Sequence, residues 1–194
     1  MSEEKTSLGK IANKIRNREN PKDVFYTPEV LAKKHINMIE SNSEEIWYDD
    51  SKGKGAYYNN FPTDNKKYSE IDEGKDLFDF NEKVDIICTN PPYSLLNKIL
   101  EKSVSLQPRV ISYLIGQQNL TPHRLQYMKD NGYGLVKLHL CKVRGFFGYS
   151  AICVWERGKD DVISYEIQNY YGDFPLNPEI DKYGNPVKEK KVIE

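Results

Sequence analysis

Cysteine and histidine are scarce in this chain: each occurs only three times among 194 residues. Cys88, Cys141 and Cys153 lie in apolar, strand-like stretches with no close pair, which argues against a disulfide framework or a zinc site. We interpret them as small buried hydrophobic residues. The three histidines are not grouped at metal-ligand spacing. We therefore assign them no chemistry and expect no metal centre.

Long apolar runs are also missing. No run approaches the roughly 18 residues that a membrane-spanning helix requires, and the N-terminus is polar and charged rather than signal-like. We therefore expect a soluble, intracellular protein with no membrane partner. With 194 residues, of which 38% are hydrophobic, the chain can bury one substantial core, and its length favours a single domain.

The net charge is only −1, but basic and acidic residues are segregated along the chain. Residues 5–34 hold eight basic and three acidic side chains, residues 86–159 hold ten and three, and residues 35–85 hold six and thirteen. A near-neutral protein can thus present a basic face to a nucleic acid. Charges dispersed over solvated faces would give the same sums, and the sequence does not separate the two interpretations.

Strand-like and helix-like stretches alternate along the chain, which predicts an α/β fold. Strands are predicted at 46–48, 68–71, 84–88, 110–115, 135–141 and 150–156, and helices follow Thr27-Pro28-Glu29 and cover about 94–104 and 123–131. The first helix is predicted to be capped, with proline at its first position. The last two strands have no helix between them, so we expect a mostly parallel sheet that closes with an antiparallel hairpin.

Three regions are predicted along the chain. Residues 1–22 form a basic N-terminal arm, residues 23–158 form the catalytic domain, and residues 159–194 form a C-terminal extension. The segment Arg144-Gly145-Phe146-Phe147-Gly148 is either a hairpin turn with packing aromatic rings or a contact to a nucleic-acid backbone.

The most informative stretch is Asn90-Pro91-Pro92-Tyr93, which directly follows the predicted strand at 84–88. Two prolines stiffen this loop and provide no N–H donors, so the Asn90 amide oxygen and the Pro91 carbonyl are neighbouring acceptors. Tyr93 adds an aromatic face. Two acceptors beside a stacking ring suit a planar amino group, such as the exocyclic nitrogen of adenine. A nucleic acid and a protein amide both remain possible acceptors at this point.

A second group of residues follows the two earlier strands, and ligands bind at such carboxyl ends. Asp49-x-x-x-Gly53-x-Gly55 can form a turn that lets backbone approach a ligand, with Asp49 as an acceptor for an amino group. Glu70 can accept ribose hydroxyls, with Ile71 stacking on an adenine ring, and Asp76 can accept from an amino group. Taken singly, each of these is also compatible with an ordinary solvated loop.

The order of these features resembles the S-adenosylmethionine-dependent N6-adenine DNA methyltransferases of the gamma arrangement, over residues 23–157. Asp23-Val24-Phe25-Tyr26-Thr27-Pro28 is similar to that family's N-terminal motif, and Asn90-Pro91-Pro92-Tyr93 to its catalytic loop. The resemblance implies a Rossmann-like class I methyltransferase fold with a seven-stranded sheet. It implies S-adenosylmethionine as cofactor and DNA as substrate, with an adenine rotated out of the duplex. The implied catalytic residues are Asn90, Pro91, Pro92 and Tyr93, and the implied cofactor-binding residues are Tyr26, Thr27, Pro28, Asp49, Gly53, Gly55, Glu70, Ile71, Asp76, Leu77 and Asn90.

The chain departs from the family pattern in two places. Asp50-Ser51 stands where the family usually has Pro-Phe, which adds negative charge beside the expected methionine site. Residues 159–194 are also too few for the target-recognition domain that gamma enzymes usually carry. A specificity partner or a homodimer is therefore a further expectation. An RNA amino group or a protein glutamine as acceptor, and a non-catalytic cofactor-binding subunit, are the alternatives that the sequence leaves open.

Overall fold

The computed structural model describes residues 26–143, 146 and 148–165. The predicted basic arm, the first three residues of Asp23-Val24-Phe25-Tyr26-Thr27-Pro28, and most of the predicted C-terminal extension lie outside the described residues. So do Arg144, Gly145 and Phe147, and with them the two interpretations of that segment.

The described residues form one six-stranded sheet in the order β2-β1-β3-β4-β6-β5. Neighbours among β1 to β4 run parallel, β6 is antiparallel to β4, and β5 is antiparallel to β6. The strands are β1 (Trp47–Asp49), β2 (Lys66–Tyr68), β3 (Ile86–Thr89), β4 (Val110–Gly116), β5 (Tyr133–Cys141) and β6 (Ser150–Arg157). The predicted α/β class, the mostly parallel sheet and the closing hairpin are confirmed. Six strands rather than seven are found in the part of the chain that the structure describes.

Three α-helices accompany the sheet among the described residues: α1 (Glu29–Ile36), α2 (Leu96–Ser105) and α3 (Pro122–Asp130). Helix α1 begins one residue later than the sequence predicted. Pro28 is its N-cap, with an extended backbone (φ −58°, ψ 135°), rather than its first helical residue. No side chain caps this helix, and the hydroxyl of Thr27 makes other contacts, described below.

Strand β4 lies inside the sheet, and all seven of its residues are buried. Neighbouring side chains of a strand point to opposite faces. Helices α1 and α2 contact two consecutive residues of β4. His35 of α1 is hydrogen-bonded to Ser112, whereas Ser103 of α2 is hydrogen-bonded to Tyr113. The two helices therefore cover opposite faces of the sheet, and the core lies between them. Within the described ranges, no helix is long and apolar enough to cross a membrane.

Strand β5 lies at the edge of the sheet, and the chain after β6 pairs with part of it. The N–H of Val162 donates to the carbonyl of Leu135 at 2.9 Å, and the N–H of Leu135 donates to Asp161 Oδ1 at 2.7 Å. These contacts satisfy backbone groups that an open sheet edge would leave unpaired.

Candidate active site

A cavity of about 350 Å³ opens where β1, β2 and β3 end. These strands are adjacent and parallel, so their carboxyl ends meet at one edge of the sheet, as expected for a ligand site in this type of fold. Eleven of the residues predicted for the site line it: Tyr26, Thr27, Gly53, Glu70, Ile71, Asp76, Leu77, Asn90, Pro91, Pro92 and Tyr93. The other three predicted residues, Pro28, Asp49 and Gly55, do not line it.

The turn after β1 contains the two predicted glycines. Gly53 and Gly55 have positive φ angles of 52° and 82°, which favour glycine because a side chain there would be strained. A Cβ atom added to Gly55 would lie 2.7 Å from Asn59 Nδ2. Gly53 lines the cavity, whereas Gly55 belongs to the same turn but does not line the cavity.

Asp49 lies behind this turn rather than in the cavity wall. Its Oδ1 accepts from Thr89 Oγ1 at 2.8 Å, and its Oδ2 accepts from the N–H of Tyr58 at 3.2 Å. The carboxylate thus fastens the glycine turn to the end of β3. Burial raises the pKa of Asp49 to about 7. Both Asp49 oxygens make internal hydrogen bonds, and the contact of Asp49 with a ligand amino group stays a prediction.

The adjacent residue, Asp50, does line the cavity. It is 2% exposed. Its Oδ1 accepts from Ser51 Oγ at 3.0 Å, and its Oδ2 is buried with no hydrogen-bond partner among the described atoms. Burial raises the pKa of Asp50 to about 6. A buried carboxylate oxygen without a donor is costly unless a ligand provides one, and a ligand ammonium group would do so.

The chain after β2 forms a second wall. Glu70 follows β2, and its Oε2 accepts from the N–H of Gly53 at 2.6 Å. Ile71 and Phe78, 68% and 40% exposed, provide apolar surface at the cavity. Asp76 Oδ1 accepts from the N–H of Phe78 at 2.9 Å, which fixes the turn that presents Phe78. An acid beside apolar side chains can hold a ribose with its attached ring.

The third wall is the Asn-Pro-Pro-Tyr loop, which directly follows β3. Pro92 has an extended backbone (φ −63°, ψ 124°), and a short 3-10 helix, Tyr93–Leu95, leads from the loop into α2. Asn90 Nδ2 donates to Thr27 Oγ1 at 3.2 Å. The loop is thus tied to Thr27, two residues before α1, and Asn90, Pro91 and Tyr93 all line the cavity.

Sequence reasoning missed several cavity residues. For Asp50, the signal was its position directly after the recognised acid. For Phe78, it was an aromatic residue beside Leu77 in a polar segment. No signal singled out Tyr57, which is buried, lies two residues beyond the predicted glycine turn and lines the cavity. The remaining missed residues are Ser51, Lys52, Lys54, Ala56, Lys75 and Leu95.

Neither thiol nor metal chemistry is evident in the described residues. All three cysteines are unpaired, and Cys88 and Cys153 are buried. Over the ranges that the structure covers, no group of three or more His, Cys, Asp or Glu side chains could hold a metal ion.

Comparison with known proteins gives matches in structure but not in sequence. No protein-family model matches the chain, and no curated protein matches it in sequence. Three similar solved structures illustrate the fold. A candidate RNA methyltransferase from Pyrococcus horikoshii superposes with a TM-score of 0.57 at 14% identity, over 72% of this chain and 90% of that one.

TrmN from Thermus thermophilus superposes with a TM-score of 0.52 at 18% identity, over 72% of this chain. The match spans about half of the TrmN chain, 52%. The magnesium protoporphyrin IX methyltransferase of Synechocystis, with S-adenosylmethionine bound, has a TM-score of 0.50 at 13% identity, over 66% of this chain and 77% of that one. At these identities the likeness shows the fold alone. It is the Rossmann-like class I methyltransferase fold that the sequence predicted.

Proposed function

We propose that this chain transfers a methyl group from S-adenosylmethionine to the N6 amino group of an adenine in DNA. The observation that carries the proposal is the position of Asn90-Pro91-Pro92-Tyr93. The loop stands at the carboxyl end of β3 in a methyltransferase fold, in the wall of the cavity that Asp50 and Glu70 also line.

The cavity residues fit the proposed cofactor. Asp50 places a buried, partnerless carboxylate oxygen at the wall, where it suits the ammonium group of the methionine part. Glu70 would accept the ribose hydroxyls, and Ile71, Leu77 and Phe78 would hold the adenine ring. When bound, the cofactor would supply a methyl group on a positively charged sulfur.

The catalytic loop would act on the acceptor amine. The Asn90 amide oxygen and the Pro91 carbonyl would each accept a hydrogen bond from one N6–H. These two bonds would draw the nitrogen lone pair out of conjugation with the ring and orient it. Stacking on Tyr93 would return roughly 1–3 kcal/mol of the free energy spent in rotating the base out of the duplex. These two acceptors provide orientation and polarity rather than a strong base.

The choice of DNA as acceptor rests on the resemblance of Phe25-Tyr26-Thr27-Pro28 and the catalytic loop to the DNA enzymes. An RNA amino group is the second candidate acceptor, because one of the three superposed structures, the Pyrococcus protein, is described as an RNA methyltransferase. A protein glutamine amide presents the same planar –NH₂ group to the same two acceptors.

Radiolabelled methyl transfer tests the proposal. The full chain is offered the labelled cofactor with DNA, RNA and protein in parallel, and Asn90→Ala serves as the control. We expect label in DNA, recovered as N6-methyladenine. Label found only in RNA or only in protein would overturn the choice of DNA as acceptor. Binding of the cofactor without transfer to any of the three would favour a non-catalytic subunit, which would act with a partner.

A further inference from the structure

A line of polar side chains runs from the centre of the sheet to the catalytic loop. Ser112 of β4 contacts His35 of α1 (Oγ to Nε2, 2.6 Å), and His35 contacts Tyr57 (Nδ1 to Oη, 2.9 Å). Burial raises the pKa of Tyr57, and Thr27 opposes that shift as a hydrogen-bond donor to the Tyr57 hydroxyl would. Thr27 Oγ1 accepts from Asn90 Nδ2 at 3.2 Å. His35 and Tyr57 are 0% and 3% exposed, so water does not compete for these bonds.

The direction of each bond follows from one fixed end. Ser112 Oγ also lies 3.2 Å from the backbone carbonyl oxygen of Cys153. A carbonyl only accepts, and we assign the single Ser112 proton to it. With that assignment Ser112 accepts from His35, and His35 carries its proton on Nε2.

The neutral form of His35 transmits this direction. Burial lowers the pKa of His35 to about 3, so the ring holds a single N–H at neutral pH. With Nε2 protonated, Nδ1 is an acceptor and takes the Tyr57 proton. Tyr57 Oη must then accept from the Thr27 hydroxyl, and Thr27 Oγ1 in turn accepts from Asn90 Nδ2. Every hydroxyl in the line has its one proton assigned.

This direction decides how the Asn90 amide is oriented. Because Nδ2 is held by Thr27, Oδ1 occupies the other branch of the amide, and Asn90 lines the cavity. An oxygen there accepts from an N–H donor, whereas a flipped amide would present its own N–H₂ group and repel an amine.

We propose that His35 and Tyr57 are positioning residues that set the Asn90 amide, through Thr27, so that the site accepts an N–H-bearing methyl acceptor. This inference rests on the proposed function. It adds two residues that touch no reacting atom, and it selects amino groups over acceptors without an N–H. Because the line begins at Ser112 in the sheet, the orientation of the Asn90 amide depends on the sheet and α1 as well as on the loop.

Tyr57→Phe is the direct test, because it removes one hydroxyl from the middle of the line. We expect kcat to fall roughly ten- to a hundred-fold, as for a misoriented catalytic group, while the Kd for S-adenosylmethionine changes less than twofold. Tyr133→Phe is the matched control. Its hydroxyl is also bonded, to the carbonyl of Pro108 at 2.7 Å, but Tyr133 does not line the cavity. Equal kcat in the two variants would overturn the inference.

Two substitutions of His35 separate positioning from packing. His35→Leu removes the acceptor for Tyr57 and should lower kcat as Tyr57→Phe does. His35→Asn places an amide oxygen near the position of Nδ1 and should restore most of that loss. If both variants lose kcat equally, or if the Kd for the cofactor rises in step with the kcat loss, His35 is structural and the inference fails.

A spectroscopic readout makes the inference independent of the substrate. The side-chain ¹⁵NH₂ signal of Asn90, assigned by its loss in Asn90→Asp, should shift in Tyr57→Phe and stay in place in Tyr133→Phe. An unmoved signal in Tyr57→Phe would overturn the positioning line. If the wild-type chain methylates nothing but the signal shifts as expected, the proposed function fails while the line of hydrogen bonds stands.

Discussion

The carboxylate of Glu70 accepts a hydrogen bond from the backbone N–H of Gly53 at 2.6 Å. This bond joins the chain after β2 to the glycine turn after β1, so two walls of the cavity are held at a fixed separation. The other oxygen, Oε1, accepts from the N–H of Asp72 at 3.2 Å and caps a short 3-10 helix, Ile71–Glu73. Both carboxylate oxygens therefore organise backbone around the proposed cofactor site.

Glu70→Gln should weaken cofactor binding about tenfold, or roughly 1.4 kcal/mol. A glutamine has one acceptor oxygen for two backbone N–H groups, and it removes the charge that strengthens both bonds and would receive ribose hydroxyls. Calorimetric titration with S-adenosylmethionine measures the change.

Glu73→Gln is the matched control for Glu70→Gln. It makes the same substitution three residues away, at an exposed side chain that pairs with Lys52 (Nζ to Oε1, 2.5 Å) and does not line the cavity. An equal loss of affinity in both variants would point to a general effect of charge rather than to the Glu70 contacts.

Asp50→Asn should stabilise the cofactor-free protein and weaken cofactor binding. Burial makes the ionised carboxylate costly in the folded chain, by about 2–3 kcal/mol for a pKa raised from 3.8 to about 6. An amide removes that cost but repels a ligand ammonium group. Denaturation at pH 8 should therefore show a more stable variant, and titration should show a higher Kd. A variant that gains no stability, or that binds the cofactor normally, would contradict this role.

The pH dependence of stability should follow from the same pair of carboxyl groups. Burial raises the pKa of Asp49 to about 7 and of Asp50 to about 6, from 3.8. The folded state then holds these protons to higher pH than the unfolded state does, so this contribution to stability falls as pH rises from about 4 to 7. Asp50→Asn should reduce the slope over that interval, as measured by urea denaturation at a series of pH values. An unchanged slope would argue against a buried ionisable Asp50.

Gly134→Ala should destabilise the fold by roughly 2–3 kcal/mol. A Cβ atom at this position would lie 2.2 Å from the carbonyl oxygen of Lys159, in the segment that pairs with β5. Gly132→Ala is the comparison: φ is +82° there, but a Cβ would meet no atom within 4 Å. It should cost only about 1–2 kcal/mol of backbone strain. Chemical denaturation that ranks the two the other way would contradict the overlap at Gly134.

The sequence predicted most of this fold because its strands are marked by apolar runs and its catalytic loop by four unusual residues in succession. Strand β2 was the weakest prediction. Its three residues, Lys66–Tyr68, are all half-buried, and two of them are lysines. The alternation of apolar and polar residues therefore indicated only the part of the chain in which β2 lies and not its bounds. Glu70 was predicted at the end of a strand over 68–71. It lies two residues beyond Tyr68, the last residue of β2, and lines the cavity.

The site was harder to predict where neighbouring residues compete for one role. Asp49 and Asp50 have the same chemistry, and only the direction of each side chain at the end of β1 separates them: Asp49 turns to Thr89, and Asp50 lines the cavity. Tyr57 and His35 belong to no motif. Their connection to Asn90 depends on packing between α1 and β4, which a linear sequence does not reveal.

Asn90→Ala is the most direct test of the catalytic loop. It removes an acceptor for the substrate amine but leaves Asp50 and Glu70 in place, so methyl transfer should fall by roughly 10²–10³-fold while the Kd for S-adenosylmethionine changes little. Asn60→Ala is the matched control, because Asn60 Nδ2 also donates one internal bond, to the Ala56 carbonyl at 2.9 Å, outside the cavity wall. Single-turnover transfer and calorimetry separate the two effects. Wild-type turnover by Asn90→Ala would exclude the Asn90 side chain from the chemistry.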